Sequence, residues 1–262
     1  MTTILDTLAE CTRKRVAECK KNISLEDMKN KALSLPKSNF EFEKALKKSN
    51  DIAFICEVKK ASPSKGEIAK DFPYLDIAKE YQEVGADCIS VLTEPDYFKG
   101  DIKYLKEINE VVNIPTIRKD FTIDEYMIYE AHTVGAKAVL LICSLLDTNT
   151  IKKYISICDT LGLTALVEAH DSNEVKSALD SGARVIGVNN RNLKTFEVDI
   201  NNSIDLRKQV PNDIIFVAES GIKTPQDISK LRENDVNAVL IGETFMRSPN
   251  KKECLNHLKG LS

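Results

Sequence analysis

Short runs dense in β-branched and apolar residues recur eight times along the chain, at 53–60, 88–94, 114–120, 138–145, 164–170, 185–191, 214–220 and 238–244. Each run is nearly continuous in apolar character instead of alternating, the pattern of parallel strands covered on both faces. The stretches between them read as helices, and successive runs begin about 26 residues apart. That spacing accommodates one strand, a helix of about three turns and two short loops. Gly85-Ala86-Asp87, Gly135-Ala136-Lys137 and Gly182-Ala183-Arg184 each stand just before a run, where a glycine at positive φ ends the preceding helix. Thr122, Asp171-Ser172 and Thr224-Pro225 stand where helices should begin; they predict capping side chains and a proline in a first turn.

Eight such units joined by right-handed crossovers close most simply into a barrel. The predicted class is therefore α/β, a (β/α)8 TIM barrel with an N-terminal helical extension. A doubly wound open sheet is the alternative, and no G-x-G-x-x-G follows the first run to favour it. Residues 1–52 precede the first strand and read as helical, with Ile4, Leu5 and Leu8 on one side of a first helix and Phe40, Phe42, Ala45 and Leu46 near a later one. The segment is too small to fold alone. It is expected to pack across one mouth of a barrel spanning 53–262, one domain overall.

Composition narrows the class further. The 262 residues are 42% hydrophobic and 29% charged, with a net charge of −3, which excludes disordered and collagen-like chains. No long basic run accompanies that charge, so neither nucleic acid nor membrane is expected as a partner. The longest apolar stretch, 138–143, falls far short of the ~20 residues of a membrane span. The first residues lack the charged leader and apolar block of a secretory signal. Seven cysteines are scattered without a C-x-x-C pair, which points to reduced thiols and a cytoplasmic location. His132, His170 and His257 form no close pair, leaving a metal site without support.

Barrel enzymes carry their chemistry where strands run into the following loops. Ile55, Glu57 and Lys59 share one face of the first run by the two-residue period. Other runs end in Arg118-Lys119-Asp120, in Glu168-Ala169-His170, in Asn189-Asn190-Arg191 and in Glu219-Ser220-Gly221. A surface ring of ion pairs explains any one of these. It explains the set less well, because charges facing a barrel interior are costly unless partnered. Ser220-Gly221 and Gly242-Glu243 lie in the loops after strands seven and eight, where small residues expose backbone N–H groups to an anion and a phosphate is expected.

These residues sit in longer matches. Glu57-Val-Lys-Lys-Ala-Ser-Pro-Ser-Lys-Gly66, Val91-Leu-Thr-Glu94 with Tyr97-Phe-Lys-Gly100, Pro115-Thr-Ile-Arg-Lys-Asp-Phe121, Leu166-Val-Glu168, Ile186-Gly-Val-Asn-Asn-Arg-Asn-Leu193, Ala218-Glu-Ser-Gly-Ile222 and Leu240-Ile-Gly-Glu243 with Met246-Arg247 follow in order through all eight units. Together they resemble the indole-3-glycerol-phosphate synthase family of tryptophan biosynthesis. The first motif is the most specific; Ala169-His170 and the N-terminal fifty residues match loosely.

The resemblance implies that 1-(2-carboxyphenylamino)-1-deoxyribulose 5-phosphate closes its pyrrole ring, loses CO2 and then water, with no metal or organic cofactor. It makes Lys119 the general acid at the ketone oxygen and Glu168 the acid or base of the dehydration, with Glu57, Lys59 and Asn189 holding the hydroxyls and the proton network. A Lys119 crowded by Lys59 and partly desolvated is expected to have a lowered pKa. Ser62, Arg191, Ser220, Gly221, Gly242 and Glu243 fall on substrate and phosphate contacts, and Phe98, Phe121 and Leu140 where an anthranilate ring would be enclosed. The partner implied is a small phosphorylated substrate, and the protein is expected as a monomer or weak homodimer. The alternatives are another phosphate-binding barrel enzyme, isomerase-like or a Schiff-base aldolase, and a non-catalytic metabolite-binding barrel.

Overall fold

A computed structural model describes residues 4–47, 51–192 and 195–261. Its eight parallel strands are β1 (Ala53–Val58), β2 (Cys88–Leu92), β3 (Thr116–Lys119), β4 (Ala138–Ile142), β5 (Thr164–Ala169), β6 (Val185–Asn189), β7 (Ile215–Glu219) and β8 (Ala238–Ile241). Each strand pairs with its neighbour in sequence, and β8 pairs with β1 to close the barrel. The open-sheet alternative is thereby excluded. All eight strands fall inside the apolar runs. Gly85, Gly135 and Gly182 adopt positive φ behind the preceding helices, and Thr224 forms a capping box with Asp227 at the start of the helix Pro225–Glu233. One expected cap is corrected. The helix Glu125–Thr133 is capped by Asp124, which accepts from the Tyr126 N–H, whereas Thr122 is buried further back in the loop.

The two-residue strand period divides the barrel interior into an apolar floor and a polar top. Ala53, Ile55, Cys88, Ile117, Ala138, Leu140, Leu166, Val185, Ile215, Val217, Ala238 and Leu240 fill the floor as one buried cluster. One step further along the same inward faces stand Glu57, Lys119, Glu168, Asn189 and Glu219. The outward faces pack under the crossover helices in a second, larger cluster.

The N-terminal extension reaches both mouths, where one was expected. Helix α1 (Ile4–Asn22) lies at the carboxyl ends of the strands: Arg15 donates to Asp120 Oδ1 at 2.7 Å and to the Thr93 carbonyl at 3.1 Å. Helix α2 (Leu25–Ser34) runs down the flank against the helix Glu125–Thr133. Helix α3 (Glu41–Leu46) then closes the opposite mouth, where Phe42 and Leu46 join the floor cluster and the Glu43 N–H donates to Thr164 Oγ1. Phe42 is fully buried. Phe42→Ala should lower unfolding stability by about 3–5 kcal/mol through lost contacts and the cavity left behind, measured by urea denaturation. The charged end of the barrel should keep its chemistry at a temperature where the variant is folded; a loss below about 1 kcal/mol would mean that α3 does not carry the floor.

Candidate active site

The charged residues at the top of the barrel are neutralised by one another. Lys119 Nζ lies 3.0 Å from Glu168 Oε2 and 3.0 Å from Glu219 Oε2. Lys59 Nζ lies 2.6 Å from Glu57 Oε1, and Ser90 Oγ donates to the other Glu57 oxygen at 3.4 Å. Asn189 Nδ2 approaches Glu168 Oε1 at 3.5 Å, while its carbonyl oxygen accepts from the Arg191 N–H at 3.0 Å. Space for these groups comes from absent methyl groups. A Cβ on Gly187 would stand 2.3 Å from Glu219 Oε1, and one on Gly242 would stand 2.4 Å from Glu57 Oε1 and 2.7 Å from Lys59 Nζ.

Loops complete the walls. Glu94, buried after β2, accepts the backbone N–H groups of Asp96, Tyr97 and Phe98 at 2.8–2.9 Å and so folds the loop that carries Phe98. The Phe98 ring then lies 6.1 Å from that of Phe121, and its carbonyl accepts from Ala61 N–H. The loop after β1 folds as a small antiparallel hairpin, Ala61–Ser62 with Gly66–Glu67, an element too short for periodicity to mark. After β7, Ser220 and Gly221 are both in the left-handed region, with φ of 68° and 82°. Such strain at a serine is stored where function needs it. A Cβ on Gly221 would also meet Val198 Cγ1 at 2.4 Å.

A cavity of about 680 Å³ results, and all the residues named from sequence line it: Glu57, Lys59, Ser62, Phe98, Lys119, Phe121, Leu140, Glu168, Asn189, Arg191, Ser220, Gly221, Gly242 and Glu243. The residue Leu193 of the sixth motif lies outside the described residues. Leu5 and Leu8 of α1 cover the cavity, and Lys65, Lys223 and Arg247 add cations at its rim. Glu243 faces Arg247, whose Nε donates to Oε1 at 3.0 Å. Among the described residues, no group of three or more His, Cys, Asp or Glu is arranged to hold a metal ion.

The expected pKa of Lys119 is corrected. Burial alone would lower it, but Glu168, Glu219 and Glu57 together outweigh burial and raise it above the ordinary lysine value. Lys59 does not crowd it, being held by Glu57. Glu168 is buried too, yet Lys119 and His170 hold its carboxyl well below the usual range. Glu219 moves the other way: burial and the neighbouring Glu168 push it up to about 7 against the pull of Lys119. Its Oε1 is buried without a hydrogen-bond partner among the described residues. Sequence reasoning noticed Glu219 at its strand end but gave it no role. The signal was its two-residue phase with Ile215 and Val217 on the inward face. His170 was likewise passed over; its Nε2 lies 3.3 Å from Glu168 Oε1.

A closed parallel barrel with an ammonium shared by two carboxylates at its carboxyl mouth, under a rim of cations and tight glycine turns, is an acid–base enzyme for a small anionic substrate. The family model described as indole-3-glycerol phosphate synthase matches residues 5–258. The indole-3-glycerol phosphate synthase of Ruminiclostridium cellulolyticum is 60% identical over 98% of this chain and 99% of its own, and that of Endomicrobium trichonymphae is 54% identical over 98% and 99%. The chain belongs to the indole-3-glycerol phosphate synthase family. A solved 3-hexulose-6-phosphate synthase superposes with a TM-score of 0.65 at 13% identity, over 80% of this chain and 99% of its own; that likeness concerns the barrel alone.

Glu219 gives a stability test. Its folded pKa is raised, so between the ordinary value of 4.5 and about 7 the folded protein holds a proton that the unfolded chain has released. This group's contribution therefore falls as pH rises through that window, at up to about 1.4 kcal/mol per pH unit. The difference in unfolding free energy, Glu219→Gln minus parent, should grow with pH from 4.5 to 7 and then level. A flat difference across the window would show that Glu219 is not the proton holder.

Proposed function

We propose that this chain converts 1-(2-carboxyphenylamino)-1-deoxyribulose 5-phosphate into indole-3-glycerol phosphate, with the proton chemistry divided among Lys119, Glu168 and their neighbours. The observation that carries the reading is Lys119 held at 3.0 Å between Glu168 and Glu219 on the cavity floor. When the ring carbon bearing the carboxylate attacks the ketone carbon, negative charge develops on the ketone oxygen. The Lys119 ammonium, fully protonated because its carboxylates raise its pKa, meets that charge and gives up its proton. Loss of CO2 returns the electron pair to the aromatic ring. In the dehydration Glu168, ionised at rest, takes the proton from the adjacent ring carbon and returns it to the departing hydroxyl, which leaves as water.

Glu57 orients Lys59 by their 2.6 Å contact, and Asn189 steadies Glu168 and the Arg191 backbone. Arg191 and Lys59 supply charge for the substrate carboxylate and hydroxyls, and Ser62, Ser220, Gly221, Gly242 and Glu243 the surroundings of the phosphate. Phe98, Phe121 and Leu140 enclose the anthranilate ring. A Schiff-base reaction at Lys119 is disfavoured, because an amine held protonated by two carboxylates is a poor nucleophile. The enzyme is read as cytoplasmic, acting as a monomer or weak homodimer without nucleic acid or membrane; scattered cysteines without a C-x-x-C pair and the small net charge support this. Residues 1–52 are taken as part of one domain with the barrel, since Phe42 and Leu46 sit in its core cluster.

Turnover of the carboxyphenylamino substrate, followed by indole fluorescence, tests the activity directly. Lys119→Met should lower kcat by ~10²-fold or more, with the fold intact by circular dichroism. Retention of more than about a tenth of parental turnover would remove Lys119 as the principal acid. Glu168→Gln keeps shape but cannot exchange a proton, so kcat should fall strongly at nearly unchanged KM.

A further inference from the structure

One charged cluster touches the site without lining the cavity. His170 follows β5 and stands behind Glu168: its Nε2 is 3.3 Å from Glu168 Oε1, and its Nδ1 is 2.9 Å from Glu174 Oε2. Glu174 sits in the first turn of the helix Ser172–Asp180 and is tied down twice more. It accepts the His170 backbone N–H at 2.8 Å through Oε2 and the Ser144 hydroxyl through Oε1. Ser144 Oγ also lies 3.3 Å from His170 Nδ1, and Asn202 Nδ2 donates to the His170 carbonyl at 3.2 Å. The imidazole is thus held at Nδ1 by Glu174 and Ser144, with Glu168 within ion-pair distance of Nε2, while Asn202 fixes the His170 backbone.

We propose that His170 is a positioning residue that holds Glu168 ionised and in place from behind, so that Lys119 can leave Glu168 for the substrate. The inference rests on Glu168 having the proton-transfer role given above. Its logic is electrostatic. In the resting site Lys119 is the cation that compensates Glu168 from the cavity side, and turning Lys119 toward a ketone oxygen weakens that pair. A buried carboxylate stripped of its partner is costly, and the cost would fall on the transition state. A second cation on the far oxygen removes the conflict, because Glu168 keeps a counter-charge whichever way Lys119 points.

The other groups around Glu168 cannot do this. Asn189 is neutral, Glu219 is another carboxylate and Glu57 is an anion already held by Lys59. Asp171 is occupied as the cap of the next helix, accepting from the Asn173 and Glu174 N–H groups. Burial by itself would lower the His170 pKa, but Glu168 and Glu174 raise it to about 10, which keeps both ring nitrogens protonated at neutral pH.

Two measurements test this on the intact enzyme. The first is nuclear magnetic resonance of the ring nitrogens, feasible with three histidines in the chain. His170 should be doubly protonated at pH 8, and Glu168→Gln and Glu174→Gln should each lower its titration midpoint. A neutral His170 at pH 8 overturns the proposal whatever the enzyme turns over. The second is the pH profile of kcat. His170→Asn should move the acid limb up by about 1 unit or more, as expected when a carboxylate loses an opposite charge within ~4–6 Å, with kcat falling more than KM rises. Glu174→Gln should shift the limb the same way by less. In a Glu168→Gln background the histidine substitution should have no further effect on the profile; a shift that persists there places its action elsewhere and overturns the proposal. Absence of turnover in the parent would instead overturn the assigned activity, and the nitrogen titration would still decide the charge on His170.

Discussion

The buried ammonium of Lys119 between Glu168 and Glu219 is the constraint around which the upper half of the barrel is arranged. Two carboxylates and one lysine at the end of a closed barrel leave one negative charge in excess, and a low-dielectric site does not tolerate that. The excess is resolved by unequal treatment. Glu168 gains a second cation from His170 and stays ionised, whereas Glu219, lacking one, takes up a proton far more readily. Two carboxylates in contact with the same lysine are thereby driven apart in acidity, the condition that lets one site hold an acid and a base at the same pH. Glycines at 187 and 242 belong to this constraint as much as the charges do, since a single methyl group at either would fill the space the glutamates occupy.

The barrel was legible because a parallel strand buried on both faces writes a continuous apolar run, and a repeat of such runs at fixed spacing has few topological solutions. Positions at strand ends could be ranked by the same period: Glu57, Lys119 and Glu168 stand two residues beyond an inward apolar residue, and Asn189 four beyond Val185. Pairing across the barrel was not legible. Lys59 and Lys119 look like neighbours along the rim, yet Lys59 is bound by Glu57 beside it and Lys119 by Glu168 and Glu219 across the ring, so the pKa of Lys119 moves opposite to expectation. Glu219 had the right phase and was still given no role, because its significance lies in a residue on β3, four strands away in either direction round the ring. The cap at Asp124 was missed for a local reason: Thr122 and Asp124 both offer a side-chain acceptor within one turn, and only the geometry of the loop decides between them.

The extension adds a different kind of dependence. Its first helix is held by Arg15 on Asp120, its last by Phe42 and Leu46 among the first residues of the strands. Roof and floor of the barrel are therefore parts of one continuous segment, joined along the flank by α2.

That arrangement has a consequence for the order in which the molecule can be assembled on the ribosome. The extension is synthesised first, but the surface that receives its last helix is among the later products. Arg15 waits for a residue 105 positions downstream, and the Glu43 backbone for one 121 positions downstream. The floor cluster that takes Phe42 includes Ala238 and Leu240 of the final strand. Contacts of such sequence separation form late, after the loop-closure entropy of most of the chain has been met. Helix α3 therefore cannot complete its docking until nearly the whole polypeptide has emerged, whereas the partners of α1 and α2 are made in the first half of the chain. The floor of the barrel, whose cover is made before any strand, is the last part to be secured.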